Sequence, residues 1–422
     1  MKLHNSSEKI TNTGFKKKAY TIKESPKAFL ILSSSLYSDK PKAIIRELST
    51  NALDSHIESN IERPIKVVLP THDIPTLTIR DYGKGLSPKQ IETVYTVYFE
   101  STKETSNDFI GALGLGSKSP FSYTNSFSVT SYQPEYINTY LVCIDNGEPC
   151  VYTISENQIP NTTNETGLEV SIEIEPSDYN LFSRAASKVF TFFDEGSVHI
   201  EWQNGTKMEK PSWKNNIKVG YVEFDSNHLH RNTFFAKMGP VAYEIDNSMF
   251  DFKLVGLLNT GHVFEFEMGE LEFQPSREAL SYNQQTIKAI NDKIEIVSNS
   301  LLVELQQVLE GSNSLREAIV RIKNLKHRNT RGLYKFLTFK GKTIAKHLEE
   351  YSNQYLSINK KHSSHPRYYD TTRGLTYPTL KSNYILYNYE TENDAVFIVR
   401  TTQFPIQKTL LMYQNTFKGI VY

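Results

Sequence analysis

Several scarcities bound this chain before any motif is read. Only two of its 422 residues are cysteine, Cys143 and Cys150. That is too few for a disulfide framework at this length and suggests a reducing compartment. No apolar run approaches the ~18 residues that a membrane-crossing helix needs. Met1-Lys2-Leu3-His4 opens a polar stretch without the apolar segment of a secretory leader. An excess of one charge is also missing: Lys+Arg and Asp+Glu both number 47, so no overall field argues for nucleic acid. Aromatic residues are plentiful, with 25 Tyr and 23 Phe, enough for a sizeable core. The length predicts two or three domains.

Three short segments in the first third make sense together. The first runs from Arg46 to Asp54, inside a stretch from Lys42 to Ile57 with Ile44, Ile45, Leu48, Ala52 and Leu53 at helical spacing. Pro41, just after Ser38-Asp39, is a start signal. Glu47, Asn51 and Asp54 then share one face over about 10 Å of helix. A carboxylate, an amide and a second carboxylate suit a water-activating base, a metal ligand and an orienting group. Taken alone, a solvated face with a chance Asn is the better reading.

The second segment follows an alternating strand, Leu77 to Arg80. Asp81 ends it and could accept a hydrogen bond from an exocyclic amine such as that of adenine. Gly83 and Gly85 allow positive φ or a flat ligand against the chain, although an ordinary Asp-x-Gly turn is common. The third segment, Gly111, Gly114 and Gly116, leads into a helix expected from Ser117, where bare backbone N–H groups could cradle phosphate. It fits neither a Walker loop, because Ser117 stands where Lys is needed, nor a dinucleotide fingerprint, because Ser119 stands where the third Gly is needed.

Glu-x-x-x-Asn-x-x-Asp, then Asp-x-Gly-x-Gly, then Gly-x-x-Gly-x-Gly, in this order, resembles the GHKL ATPases: the gyrase B, Hsp90, histidine-kinase and MutL nucleotide-binding domains. The resemblance implies ATP and Mg²⁺ as ligands. It places Glu47 as the base polarising water, with Arg46 in support, and Asn51 on the metal. Asp81 would read adenine, Gly83 and Gly85 would lie beside the base, and Gly111, Gly114 and Gly116 would lie at the phosphates. Residues 95–107 would form a lid, from which Lys103 could reach a phosphate or simply be solvated. Two departures stand out: Asp54-Ser55 replaces a common Asp-Ala, and Thr166-Gly167 reverses the usual Gly-Thr order, so Thr166 receives no role.

The segment from Glu270 to Leu280 reads as a strand turning at Pro275 into a helix, and resembles the Hsp90 middle domain. There an Arg after Ser contacts the γ-phosphate, which assigns Arg277 that part. The alternative is an Arg capping a neighbouring carboxylate. A second resemblance, over residues 24–37, 106–111 and 114–124 and weakly onward to Asn291, is to the rIIA proteins of T4-like bacteriophages. It implies a phage protein concerned with lysis inhibition or escape from prophage-encoded exclusion. Such a protein would work in the host cytoplasm or at the periphery of the inner membrane. Those proteins are longer, and the chain stops at Gly419 to Tyr422 inside an expected strand, which suggests a shortened relative or an incomplete copy.

The expected fold is α/β. Residues 1–17 form a polar tail. A Bergerat-type α/β sandwich over 18–202 binds ATP, a ribosomal-S5-like transducer domain covers 203–310, and a basic α+β region covers 311–422. In the first domain a strand at 19–22 and a helix over 25–37 come first. Strands at 127–132, 139–145, 150–155 and 168–175 follow, with Asn146-Gly147 as a hairpin turn. A helix over 179–193 points Leu181, Phe182, Ala185, Val189, Phe192 and Phe193 inward. The apolar residues from Ile287 to Val308, Val303 among them, suit a strut or a dimer seam.

Residues 316–346 carry ten cations against Glu317, interleaved with Tyr334, Phe336 and Phe339. A nucleic acid or an anionic membrane could bind there, although a solvated basic face is the commoner outcome. Strands are expected at 384–389, 395–401 and 409–413. The histidines read as structural. Two functions remain: an ATPase acting as a nucleotide-gated homodimer, or a non-hydrolysing ATP-dependent module that docks a host protein, membrane or DNA.

Overall fold

The computed structural model describes residues 29, 31, 36–97, 116–154, 159–201, 212–214, 220–225, 233–252, 254–257, 261–324, 330–350, 368–370, 375–377 and 420–421. The chain divides into two compact units. One comprises Met1–Ser248 with Gly261–Asp292, the other Met249–Thr260 with Lys293–Tyr422.

The first unit is mixed α/β. Helix α1, Lys40–Ser59, starts where Asp39 accepts Lys42 N–H and Pro41 occupies the first turn, and ends at Asn60 in the left-handed conformation. Strands β1 (Ile65–Val68), β2 (Thr76–Arg80), β3 (Ser126–Tyr132), β4 (Tyr136–Asp145), β5 (Glu148–Thr153), β6 (Ile159–Pro160), β7 (Gly167–Glu173) and β8 (Val198–Glu201) form one eight-stranded sheet. Its order is β5-β4-β3-β7-β2-β1-β8, with β6 also on β4. All these pairings are antiparallel except β1 with β8.

One sheet face turns Val67, Leu77, Ile79, Val129, Val142 and Ile172 into the core. Ile44, Ile45, Leu48 and Ala52 of α1 meet them, as do Phe182, Ala185, Val189 and Phe190 of helix α2, Tyr179–Phe190. Ile44 and Ile45 are fully buried, each contributing roughly 1.5–3 kcal/mol. The other face is polar, with Thr78 Oγ1 and Ser171 Oγ 3.0 Å apart across strands. Asn146 and Gly147 turn β4 into β5 with φ of 49° and 85°, as a two-residue primed turn requires.

A second sheet in this unit orders β12 (Val241–Glu244), β11 (Phe234–Met238), β13 (Gly261–Phe266), β10 (Tyr221–Asp225) and β9 (Ser212–Lys214). Its β11–β13 pair is parallel and the others antiparallel.

In the second unit, helix α4, Leu315–Lys323, is capped by Ser314. Gln306 clamps Thr338 with both amide atoms, at 2.8 and 3.0 Å. In the basic stretch Arg321 pairs with Glu317 at 2.9 Å, while Tyr334 and Phe339 are buried. Among the described residues no helix is long and apolar enough to cross a membrane.

Several expectations need correction. Leu181 is half exposed, because it lies roughly 110° around the helix from the centre of the stripe that Phe182, Ala185, Ala186, Val189 and Phe190 bury. Val303 is exposed on helix α3, Gln284–Val308, where Ile290, Ile294, Val297, Leu301 and Leu305 are the buried apolar positions. The helix after the third glycine segment is 3₁₀, Gly116–Ser122, with Pro120 inside removing a backbone donor. The segment after Pro275 does not enter a helix. Phe273 and Leu280 bridge across a closed loop, and α3 begins only at Gln284. Leu36 and Tyr37 lie in irregular chain just before α1. The strand at 19–22, most of the helix over 25–37, and the strands at 384–389, 395–401 and 409–413 fall outside the described residues.

Candidate functional site

The polar face of α1 is not solvated. Glu47 is 2% exposed and Asp54 fully buried, with Asn51 half-buried between them. A buried carboxylate needs partners, and Glu47 has two cations. Arg46 Nε donates to Glu47 Oε1 at 3.1 Å, and Arg277 Nη1 donates to Oε2 at 3.0 Å. Both guanidiniums are buried. Burial works against the Arg277 cation, but the Glu47 carboxylate and the Tyr243 hydroxyl outweigh it and hold its pKa above the ordinary value. Tyr37 is buried beside the cluster, and its phenol is pushed up by burial and by the Glu47 charge.

Arg277 reaches Glu47 from a tight loop. Gln274 N–H donates to Ala279 O and Arg277 N–H to Gln274 O, closing the turn under the Phe273–Leu280 bridge. Arg277 takes φ +56°, a left-handed conformation costing about 1–2 kcal/mol outside glycine. The loop makes two more contacts with α1. Ser276 O accepts Arg46 Nη2 at 2.9 Å. The Glu278 carboxylate accepts Asp39 N–H at 2.9 Å, and Ser38 N–H and Ser38 Oγ–H at 3.0 and 2.9 Å. A negative charge suits the start of a helix. Burial raises the Glu278 pKa, but these hydrogen bonds prevail and hold it below the ordinary value.

Asp81 follows β2 and is 5% exposed. Its Oδ1 accepts Ser55 Oγ–H at 3.0 Å and Gly83 N–H at 2.8 Å, while burial pushes its pKa up to about 6. Gly83 is needed because a Cβ there would strike Ser55, and Gly167, with φ +125°, because a Cβ would strike the Asp81 carbonyl. At Gly85, φ is +69° and a Cβ would fall 2.5 Å from Tyr132 O. Packing of chain on chain therefore explains these glycines without a ligand. His56 Nε2 accepts Tyr82 N–H at 2.8 Å, tying α1 to the end of β2, and burial lowers its pKa.

Gly116 joins the third segment to the first. A Cβ there would lie 2.9 Å from Glu47 Oε2 and 3.1 Å from Asn51 Nδ2. Gly111, Gly114 and Lys103 lie outside the described residues. The structure therefore brings Glu47, Asn51, Gly116 and Arg277 together, with Asp81 and Gly83 farther along α1 at Ser55. Sequence reasoning missed Ser55 and Lys118. Lys118 is 5% exposed and donates to Val97 O at 2.8 Å, and burial pulls its pKa down to about 8. Its signal was a lysine two positions after the last glycine of the motif.

A cleft of about 540 Å³ is lined by Asn60, Arg63, Tyr82, Glu165 and Thr166 among others. Arg63 lies 3.4 Å over the Tyr82 ring and is held by Glu165 at 2.9 Å. The cleft adjoins the Asp81 turn rather than Glu47. No protein-family model matches the chain, and no curated protein matches it.

Proposed function

We propose that the first unit is a Bergerat-type nucleotide-binding domain that takes ATP with Mg²⁺ and hydrolyses it. The second sheet would be its ribosomal-S5-like transducer. The observation that carries this reading is that Gly116 sits so near Glu47 and Asn51 that a Cβ would crowd both side chains, while Asp81 stands at Ser55 on the same helix. From Glu47 to Ser55 is about 12 Å of helix, a distance that a nucleoside triphosphate spans.

The donor set fits this assignment. Gly116 keeps side-chain bulk away from Glu47 and Asn51, leaving backbone to face phosphate. Asn51 would hold the divalent cation, which when bound neutralises charge on the phosphates. Asp81, fixed by Ser55 and Gly83, offers a carboxylate to the adenine amino group. Glu47 takes the proton of the attacking water, and that requires Arg277 to leave it. The γ-phosphate offers Arg277 a replacement anion, so arrival of substrate would free the base and put the guanidinium where charge develops. On this reading the loop from Gln274 to Ala279 senses the terminal phosphate. The resemblance to rIIA proteins supports a setting in phage lysis timing or escape from exclusion, with a homodimer as the clamp.

The test is calorimetric ATP binding together with phosphate release by the full chain. Glu47→Ala should abolish release and retain binding, and Asp81→Asn should lose binding. Release unchanged in Glu47→Ala would overturn the hydrolytic assignment. A second reading, a switch that binds ATP without turnover, is favoured by the two cations already on Glu47. Binding without release in the wild type would select it.

A further inference from the structure

The two cysteines stand outside the candidate site, yet they face each other. Cys143 on β4 is the register partner of Cys150 on β5, with the sulfurs 3.4 Å apart. Both are free thiols and half-buried. The two-residue turn at Asn146-Gly147 fixes the pairing, with Asp145 opposite Glu148 and Ile144 opposite Pro149. Proline has no N–H, which suits the pair that exchanges no hydrogen bonds. Alternation then makes Cys143–Cys150 a hydrogen-bonded pair, with Cα atoms about 5.5 Å apart, inside the range a disulfide needs. Leu141 and Tyr152, two residues along each strand and paired with each other, are exposed, so a small reagent can reach this face.

We infer that Cys143 and Cys150 form a reversible dithiol–disulfide modification site, oxidised to one cross-strand bond by a small-molecule disulfide such as glutathione disulfide. Cys150 as thiolate attacks one glutathione sulfur, forming a mixed disulfide and releasing glutathione thiolate. Cys143 then gives up its proton and attacks the Cys150 sulfur, expelling the second glutathione. Two protein thiols are oxidised, one disulfide is reduced, and both protons end on the two glutathiones. Burial and the neighbouring thiol push Cys143 up to about 11, which keeps it protonated and leaves the first attack to Cys150. The bond would tie the outermost strand β5 to β4 without moving the register. The site is independent of the nucleotide reading.

The experiment is to equilibrate the full chain in buffers of graded reduced and oxidised glutathione, quench with a thiol alkylator and measure intact mass and peptide maps. The expected product has lost two hydrogens, takes up no alkylator, and joins the Cys143 and Cys150 peptides. Its fraction should follow the ratio of glutathione disulfide to the square of glutathione. Cys150→Ser should abolish the two-hydrogen loss, and Cys143→Ser should stop at the mixed disulfide. Stable glutathione adducts on the wild type, bonds between chains, or two alkylatable thiols in fully oxidised buffer would each overturn the proposal.

Discussion

Replacing Arg277 with Met removes one of the two cations from a carboxylate that water hardly reaches. Breaking a buried pair from one side typically costs about 3–5 kcal/mol, because the remaining charge is left uncompensated. Arg46 still serves Oε1, at 3.0 and 3.1 Å, so the lower end, about 3 kcal/mol, is expected. The left-handed backbone at position 277 supplies an internal control. Arg277→Gly loses the same ion pair but relieves strain of about 1 kcal/mol, so it should lose less than Arg277→Met. Glu47→Gln should cost less in the Arg277→Met background than in the wild type, because it strands buried Arg46 alone rather than two buried cations. Urea unfolding followed by circular dichroism measures all five proteins. A loss below about 1 kcal/mol in Arg277→Met, or an equal cost of Glu47→Gln in both backgrounds, would refute the buried pair.

Other expectations follow from the same geometry. Asp81 has a folded pKa of about 6, above its ordinary 3.8, so its contribution is full below about pH 4 and disappears as pH rises through 6. Asp81→Asn should flatten that window and gain up to about 3 kcal/mol at neutral pH, read from unfolding midpoints across pH. An unchanged pH profile would contradict the assignment. Gly167→Ala forces a Cβ onto the Asp81 carbonyl at φ +125°, and should cost more than about 3 kcal/mol or prevent recovery of folded protein by gel filtration. Glu278→Gln weakens three hydrogen bonds at the start of α1 and should lose about 1 kcal/mol at neutral pH. Because the Glu278 pKa is depressed, that difference should vanish in acid as the wild-type carboxyl protonates.

Helix α1 was legible because Asp39, Pro41 and an apolar stripe all mark it, and Ile44, Ile45, Leu48 and Ala52 are indeed buried. The hairpin at Asn146-Gly147 was legible for a similarly local reason. Periodicity also put Glu47, Asn51 and Asp54 on one face, but spacing gives direction and not what stands opposite. The partner of Glu47 comes from 230 residues away, so its burial had no local signature. The segment after Pro275 misled because proline often begins a helix. Here the Phe273–Leu280 bridge and three contacts to α1 hold a loop instead, with Arg277 in a conformation no helix permits. Leu181 fell on the wrong side because it lies beyond the edge of the stripe that Phe182, Ala185, Ala186, Val189 and Phe190 bury.

The separation between Glu47 and Arg277 also sets a clock on biosynthesis. At roughly 5–20 residues per second, a ribosome needs about 12–46 s to add the intervening chain. Throughout that interval α1 lacks the Ser276 carbonyl, the Arg277 guanidinium and the Glu278 carboxylate. The Glu47 carboxylate then has only the adjacent Arg46 as a paired cation. The first unit therefore completes its assembly only after its last strand and the loop beyond it have been made. A chain that stops before Ser276 therefore lacks all three contacts that close the start of α1 and the second cation on Glu47.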